Sequence, residues 1–118
     1  MKRKFDLEEV RQTIAEAGPN TKVYIGVDSE RYKKNGRFVA DFIQVVVVHI
    51  EGKHGAKIFA KVTTEDDYDA KLSRPFTRMM TETYKAAELY LAIEDVLIDK
   101  EFEIHLDINR DEEHGSSC

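Results

Sequence analysis

The order and periodicity of the elements predict a single α/β domain built on a mixed four-stranded sheet. Three observations carry this. Three short-looped segments with β-branched, alternating character come first. One long amphipathic segment follows them. A further alternating segment closes the pattern, and it is too far from the third strand to be joined to it by a hairpin. With 118 residues, the chain has room for one core and not two. A hydrophobic content of 42% with only 2 Pro and 6 Gly places it among packed proteins rather than disordered or collagen-like ones. The expected organisation is an N-terminal helix over about 6–17, a core over about 22–109 and a polar tail over 110–118.

Phe5-Asp6-Leu7-Glu8-Glu9-Val10 reads as a helix start, with Asp6 as cap, Glu9 completing a capping box, and Phe5 and Val10 as a hydrophobic staple. Leu7, Val10, Ile14 and Ala17 form one apolar stripe, and Gly18-Pro19-Asn20 ends the helix. Val23, Ile25 and Val27 then alternate with Tyr24, Gly26 and Asp28, a period-two strand ending on a carboxylate. The polar segment 29–36 closes on the turn pair Asn35-Gly36. It leads into the run Phe38 to Ile50, whose valines predict a strand covered on both faces. Gly52 and Gly55 bracket the connection to a third strand, Ala56 to Thr64, which completes an antiparallel meander. After the turn-prone Glu65-Asp66-Asp67, the segment from Phe76 to Ile98 is the main helix, with Pro75 fitting its first turn. Phe102, Ile104, Leu106 and Ile108 alternate with Glu103, His105, Asp107 and Asn109 to give the fourth strand.

If the meander runs up, down and up, the helix descends across one face and the fourth strand rises parallel to the first, because such crossovers are right-handed. The C-terminal ends of strands one and four then lie together, and they carry Asp28 and Asp107. That edge is the usual ligand site of open α/β sheets. Gly26, without a side chain, is expected to let the helix approach closely below these residues. On the helix, Met79, Ala86, Tyr90, Ile93 and Leu97 share a stripe at about 100° per residue, and Glu82 lies within it. Glu88 falls on the opposite side, and Glu94 lies too far along the axis toward the wrong end of the strands. Glu82 is therefore the helix's candidate, its alternative being a helix-edge carboxylate paired with Arg78 or Lys85.

Three converging carboxylates repel one another unless a cation binds them. An all-oxygen set suits Mg²⁺ or Mn²⁺, and two such ions could activate a water and stabilise the leaving oxygen in phosphodiester hydrolysis. Asp28, Glu82 and Asp107 are thus the candidate catalytic and metal-ligating residues. His105 reads as a packed or hydrogen-bonded core histidine rather than a ligand, and His114 as part of the polar tail. Arg31, Lys33, Lys34 and Arg37 flank the first hairpin as candidate substrate-binding residues, and Tyr32 could stack on a base. The alternative for this group is a solvated loop.

The succession of these elements resembles the ribonuclease H-like superfamily. Tyr24-Ile25-Gly26-Val27-Asp28-Ser29-Glu30, Arg78-Met79-Met80-Thr81-Glu82 and His105-Leu106-Asp107-Ile108-Asn109 are similar to the conserved blocks of its YkuK family of predicted nucleases. The resemblance covers roughly Ile14 to Ser117 and implies a metal-dependent nuclease, with Asp28, Glu82 and Asp107 matching the first three acidic residues of the superfamily's metal site. The superfamily fold continues with a further strand and a C-terminal helix bearing a fourth acidic residue, whereas this chain stops at Ser116-Ser117-Cys118. The expectation is a truncated chain or a part supplied otherwise; Asp111 could stand in as a ligand, but an acidic tail residue is more often merely solvated.

A net charge of −5 argues against a generic electrostatic nucleic-acid binder, so binding to RNA, RNA/DNA hybrid or DNA would have to be local. The one cysteine, Cys118, rules out an intramolecular disulfide and a cysteine zinc cluster. With no apolar leader and no span near the ~20 residues a bilayer needs, the expected location is cytoplasmic, without membrane contact. The competing functional reading is a non-catalytic nucleic-acid-binding or assembly module, or an inactive fragment. An uncovered fourth-strand edge would then favour a homodimer.

Overall fold

The computed structural model describes residues 5–50, 55–66 and 76–106. Its elements are α1 (Leu7–Glu16), β1 (Lys22–Lys34), β2 (Arg37–His49), β3 (Lys57–Asp66), α2 (Phe76–Ile93) and β4 (Glu101–Leu106). The strands form one sheet in the order β3-β2-β1-β4. β1 is antiparallel to β2 and parallel to β4, and β2 is antiparallel to β3, which is the mixed α/β architecture expected from the sequence.

Asp6 caps α1, its carboxylate accepting from the backbone N–H of Glu8 at 3.0 Å and of Glu9 at 3.4 Å. Val10 and Ile14 of α1, Val23 and Ile25 of β1, Val46 and Val48 of β2, Phe59 of β3, and Leu89 and Ile93 of α2 make one buried core. All of it lies on one face of the sheet.

Three local expectations change. β1 does not stop at Asp28 but runs on to Lys34, so 29–34 is strand rather than loop. The reason is pairing: Ser29 to Lys34 lie opposite Phe42 to Arg37 of β2, and a two-residue turn joins the strands. In that turn Asn35 (φ 52°) and Gly36 (φ 79°) both take the left-handed conformation that suits the twist of a tight hairpin. The valine run of β2 is covered on one face, not both. Val46 and Val48 are fully buried under the helices, while Ile43, Val45 and Val47 are only half-buried and Ile58 and Val62 of β3 are exposed. Third, α2 ends at Ile93, five residues short of Ile98, and a 3₁₀ turn follows (Glu94–Val96). Arg11 of α1 donates to the Ala92 carbonyl at 2.7 Å and holds both Asp95 oxygens at 2.7 Å, so a side chain takes up a carbonyl at the helix end.

The position of α2 on the sheet is fixed by polar contacts as well as apolar ones. The buried Gln44 of β2 donates to the Lys85 carbonyl at 3.2 Å, and the Lys85 ammonium meets Glu65 of β3 at 2.9 Å while lying over the Phe42 ring. No described helix is long and apolar enough to cross a membrane.

Candidate functional site

The parallel register of β1 and β4 runs from Lys22 opposite Glu101 to Val27 opposite Leu106. Asp28 is therefore the first β1 residue beyond the described β4. Asp107 lies outside the described residues, as do Asp111 and His114. Past Asp28, the edge of β1 away from β2 faces no other described strand.

Side-chain alternation divides this end of β1 between two faces. Val23, Ile25, Val27 and Ser29 point to the α2 side and are buried, whereas Tyr24, Gly26 and Asp28 point to the other. Gly26 consequently makes no room for the helix, contrary to expectation: a Cβ built there would meet only the His105 carbonyl, at 3.9 Å. Gly26, Asp28, Ile43, Val45 and His105 line a shallow depression of about 350 Å³ on this face. The Asp28 carboxylate accepts from the Ser29 N–H at 2.7 Å.

On the opposite face, α2 delivers two side chains to Ser29. Arg78 and Glu82 are four residues apart and hence neighbours on one side of the helix. The Ser29 hydroxyl donates to Glu82 Oε2 and accepts from Arg78 Nη1 at 3.2 Å. Glu82 is buried, only 3% exposed, as its place in the apolar stripe required. A charge in such a place needs hydrogen bonds and an opposite charge nearby; the Ser29 hydroxyl supplies a hydrogen bond and itself accepts from the Arg78 guanidinium. The fold thus brings Glu82 to the level of Asp28, but to the residue beside it and on the other face of β1. Among the described residues, no three acidic, histidine or cysteine side chains gather closely enough to hold a metal ion.

Ser29 and Arg78 were not singled out as site residues from the sequence. The usable signals were the four-residue spacing of Arg78 and Glu82 and the parity of Ser29 relative to Asp28, hidden by reading 29–36 as loop. His105 also differs from expectation. It is exposed, bonded to Glu103 at 3.0 Å and packed at 5.7 Å against the Tyr24 ring, because among the described residues β4 is the last strand of the sheet and no element covers it on this face. Glu103, held by His105 and also by Lys22, keeps its carboxyl below the usual range.

The four candidate binding cations separate as well. Arg31 and Lys33 stand on the α2 side of β1, each over the Phe38 ring of β2, at 5.1 and 5.3 Å from its centroid. Lys34 and Arg37 fall on the other face, where Arg37 meets Asp66 at 3.4 Å. Tyr32 is on that face too. It donates to Asp41 at 3.0 Å, and this bond raises its hydroxyl pKa above the ordinary value.

A family model described as Ribonuclease H-like matches residues 7–117. Among curated proteins and among solved structures, none matches the chain.

Proposed function

Since the chain belongs to the ribonuclease H-like family, we propose that it is a nuclease hydrolysing phosphodiester bonds of nucleic acid with a bound divalent cation. The observation that carries this reading is the meeting of elements at the end of β1: Asp28 one step past its pairing with β4, and α2 placing Glu82 at the adjacent Ser29.

The donor chemistry fits a hard cation, since every candidate is a carboxylate oxygen. Asp28 fits directly, half-buried beside a strand edge that no described strand pairs. Glu82 fits in level along β1, although it would exchange the Ser29 hydroxyl for the cation. Asp107, the residue after the described end of β4, is assigned as the third ligand. A divalent cation in this place would supply Lewis-acid activation of water and neutralisation of phosphate charge. Ser29 holds Glu82 by a hydrogen bond on the α2 side, and Arg78 donates to the same Ser29 hydroxyl.

The test is incubation of labelled RNA, RNA/DNA hybrid and single-stranded DNA with Mn²⁺ or EDTA. EDTA-sensitive cleavage that Asp28→Asn and Asp107→Asn abolish is expected. Silence on every substrate, in a longer chain also, removes the claim.

A second reading is favoured by one observation, the commitment of Glu82 to Ser29 on the face opposite Asp28. In that reading the chain binds nucleic acid without cleaving it. Calorimetric titration with Mn²⁺ then shows equal affinity in wild type and Asp28→Asn, with nucleic-acid binding retained.

A further inference from the structure

The two edges of the sheet are built differently. On its α2 side β3 presents Lys57, Phe59 and Lys61, opposite the buried Val48, Val46 and Gln44 of β2. Lysines along an outer strand discourage a further strand from adding to it. β4, at the other edge, has no lysine, proline or bulge between Glu101 and Leu106, and on the α2 side it presents Phe102, Ile104 and Leu106. No described strand pairs with its outer edge, and Phe102 and Ile104 are 40% and 43% exposed. The apolar surface continues onto α2. Tyr90 packs at 5.3 Å against the Phe102 ring and so marks the β4 flank of the helix. Met80 and Leu91, farther round that flank at about 100° per residue, are 39% and 63% exposed.

Two copies of this edge fit each other in one register. Side chains directly opposite in an antiparallel pair share a face. A two-fold axis through Ile104 therefore sets Ile104 against its own copy and Phe102 against Leu106 on the α2 side, and Glu103 against His105 on the other. Apolar meets apolar, and a carboxylate meets an imidazole, the contact these two residue types already make within one chain at 3.0 Å. Moving the axis to Glu103 would set two carboxylates against each other, and moving it to Phe102 would set Glu103 against Glu101. Residues 107–118 contain one aliphatic side chain, Ile108, so that polar stretch is a poor match for an apolar row of three.

We infer that β4 is the interface of a homodimer, in which two copies pair antiparallel about a two-fold axis at Ile104 and join their four-stranded sheets into one. Both α2 helices then lie on the same side of the joined sheet, with their β4 flanks turned toward each other across Phe102 and Ile104. The pairing spans Phe102 to Leu106 and does not depend on the nuclease reading.

Sedimentation velocity of the full chain across a micromolar dilution series tests the pairing, with Ile104→Lys placing two ammonium groups on the axis. Wild type should be dimeric, and the variant should dissociate at about a hundredfold higher concentration. Cysteine capture under mild oxidation, on a Cys118→Ser background, reads the register. Opposed residues of an antiparallel pair have Cα atoms about 4.5–5.5 Å apart, within the roughly 4.4–6.8 Å that a disulfide spans. Ile104→Cys should therefore run as a covalent dimer on a non-reducing gel. The two copies of residue 102 are four residues out of step, about 13 Å at ~3.3 Å per residue, so Phe102→Cys should stay monomeric on that gel. These captures also serve if Ile104→Lys fails to fold. A monomer throughout the series, a dimer that Ile104→Lys leaves unchanged, or capture of Phe102→Cys or Glu103→Cys equal to that of Ile104→Cys overturns the inference.

Discussion

Replacing Ser29 by alanine removes one oxygen atom from a buried site and tests whether that atom holds the α2 carboxylate in place. In the wild type, the hydroxyl donates to Glu82 Oε2 and accepts from Arg78 Nη1, and Glu82 is only 3% exposed. Alanine fits the same strand position, so the backbone pairing of Ser29 with Phe42 stays intact. The loss falls on the charged partners. Leaving a buried charged group short of one hydrogen bond costs about 1.5–3 kcal/mol, and a serine whose hydroxyl did nothing would cost under about 0.5 kcal/mol. At about 4 °C per kcal/mol for a domain of this size, the midpoint should fall by roughly 6–12 °C. Urea denaturation of Ser29→Ala, Glu82→Gln and the double variant gives the coupling between the two residues, expected at about 1–2 kcal/mol. A Ser29→Ala protein within about 0.5 kcal/mol of wild type, or a coupling near zero, refutes the argument that Ser29 positions Glu82.

Ile93→Ala and Ile14→Ala empty fully buried core positions on α2 and α1 and should each cost about 2–5 kcal/mol by urea denaturation. Gly26→Ala should leave stability unchanged or raise it by up to about 1 kcal/mol in a thermal melt, since the added Cβ meets only the His105 carbonyl at ordinary contact distance. Arg11 holds the Asp95 carboxyl below its ordinary value of 3.8. Because the folded value is the lower one, the Asp95 contribution is complete above that ordinary value and is lost as pH falls through the depressed one. The gap between wild type and Asp95→Asn in a series of acid melts should accordingly close below about pH 4. The outer edge of β4 pairs with no described strand, and Phe102 and Ile104 are 40% and 43% exposed on the α2 side. Light scattering at micromolar concentration should therefore report a dimer, with a monomer counting against pairing through that edge.

Local patterns in the sequence were sufficient for the helix start at Asp6, the alternation of β1 and β4, the turn at Asn35-Gly36 and the placement of Glu82 within the buried stripe of α2. These signals survive folding because they come from side-chain periodicity and backbone stereochemistry, which act over a few residues. The parallel pairing of β1 and β4 was legible too, through the handedness of the crossover rather than any local motif.

What the chain alone did not decide was which face of the sheet receives the helix. The alternation of β1 separates Asp28 from Ser29 in either case, but only packing assigns Ser29 to the side covered by α2 and leaves Gly26 and Asp28 on the other. Pairing with β2 carried β1 six residues past Asp28, turning an apparent loop into one strand of a hairpin arm. The same assembly brought Arg78 and Glu82 to a serine that no short-range pattern had joined to them. Period and propensity are properties of the sequence, whereas the identity of the buried face is settled by which apolar surfaces can be removed from water together. That is a property of the whole sheet and its two helices.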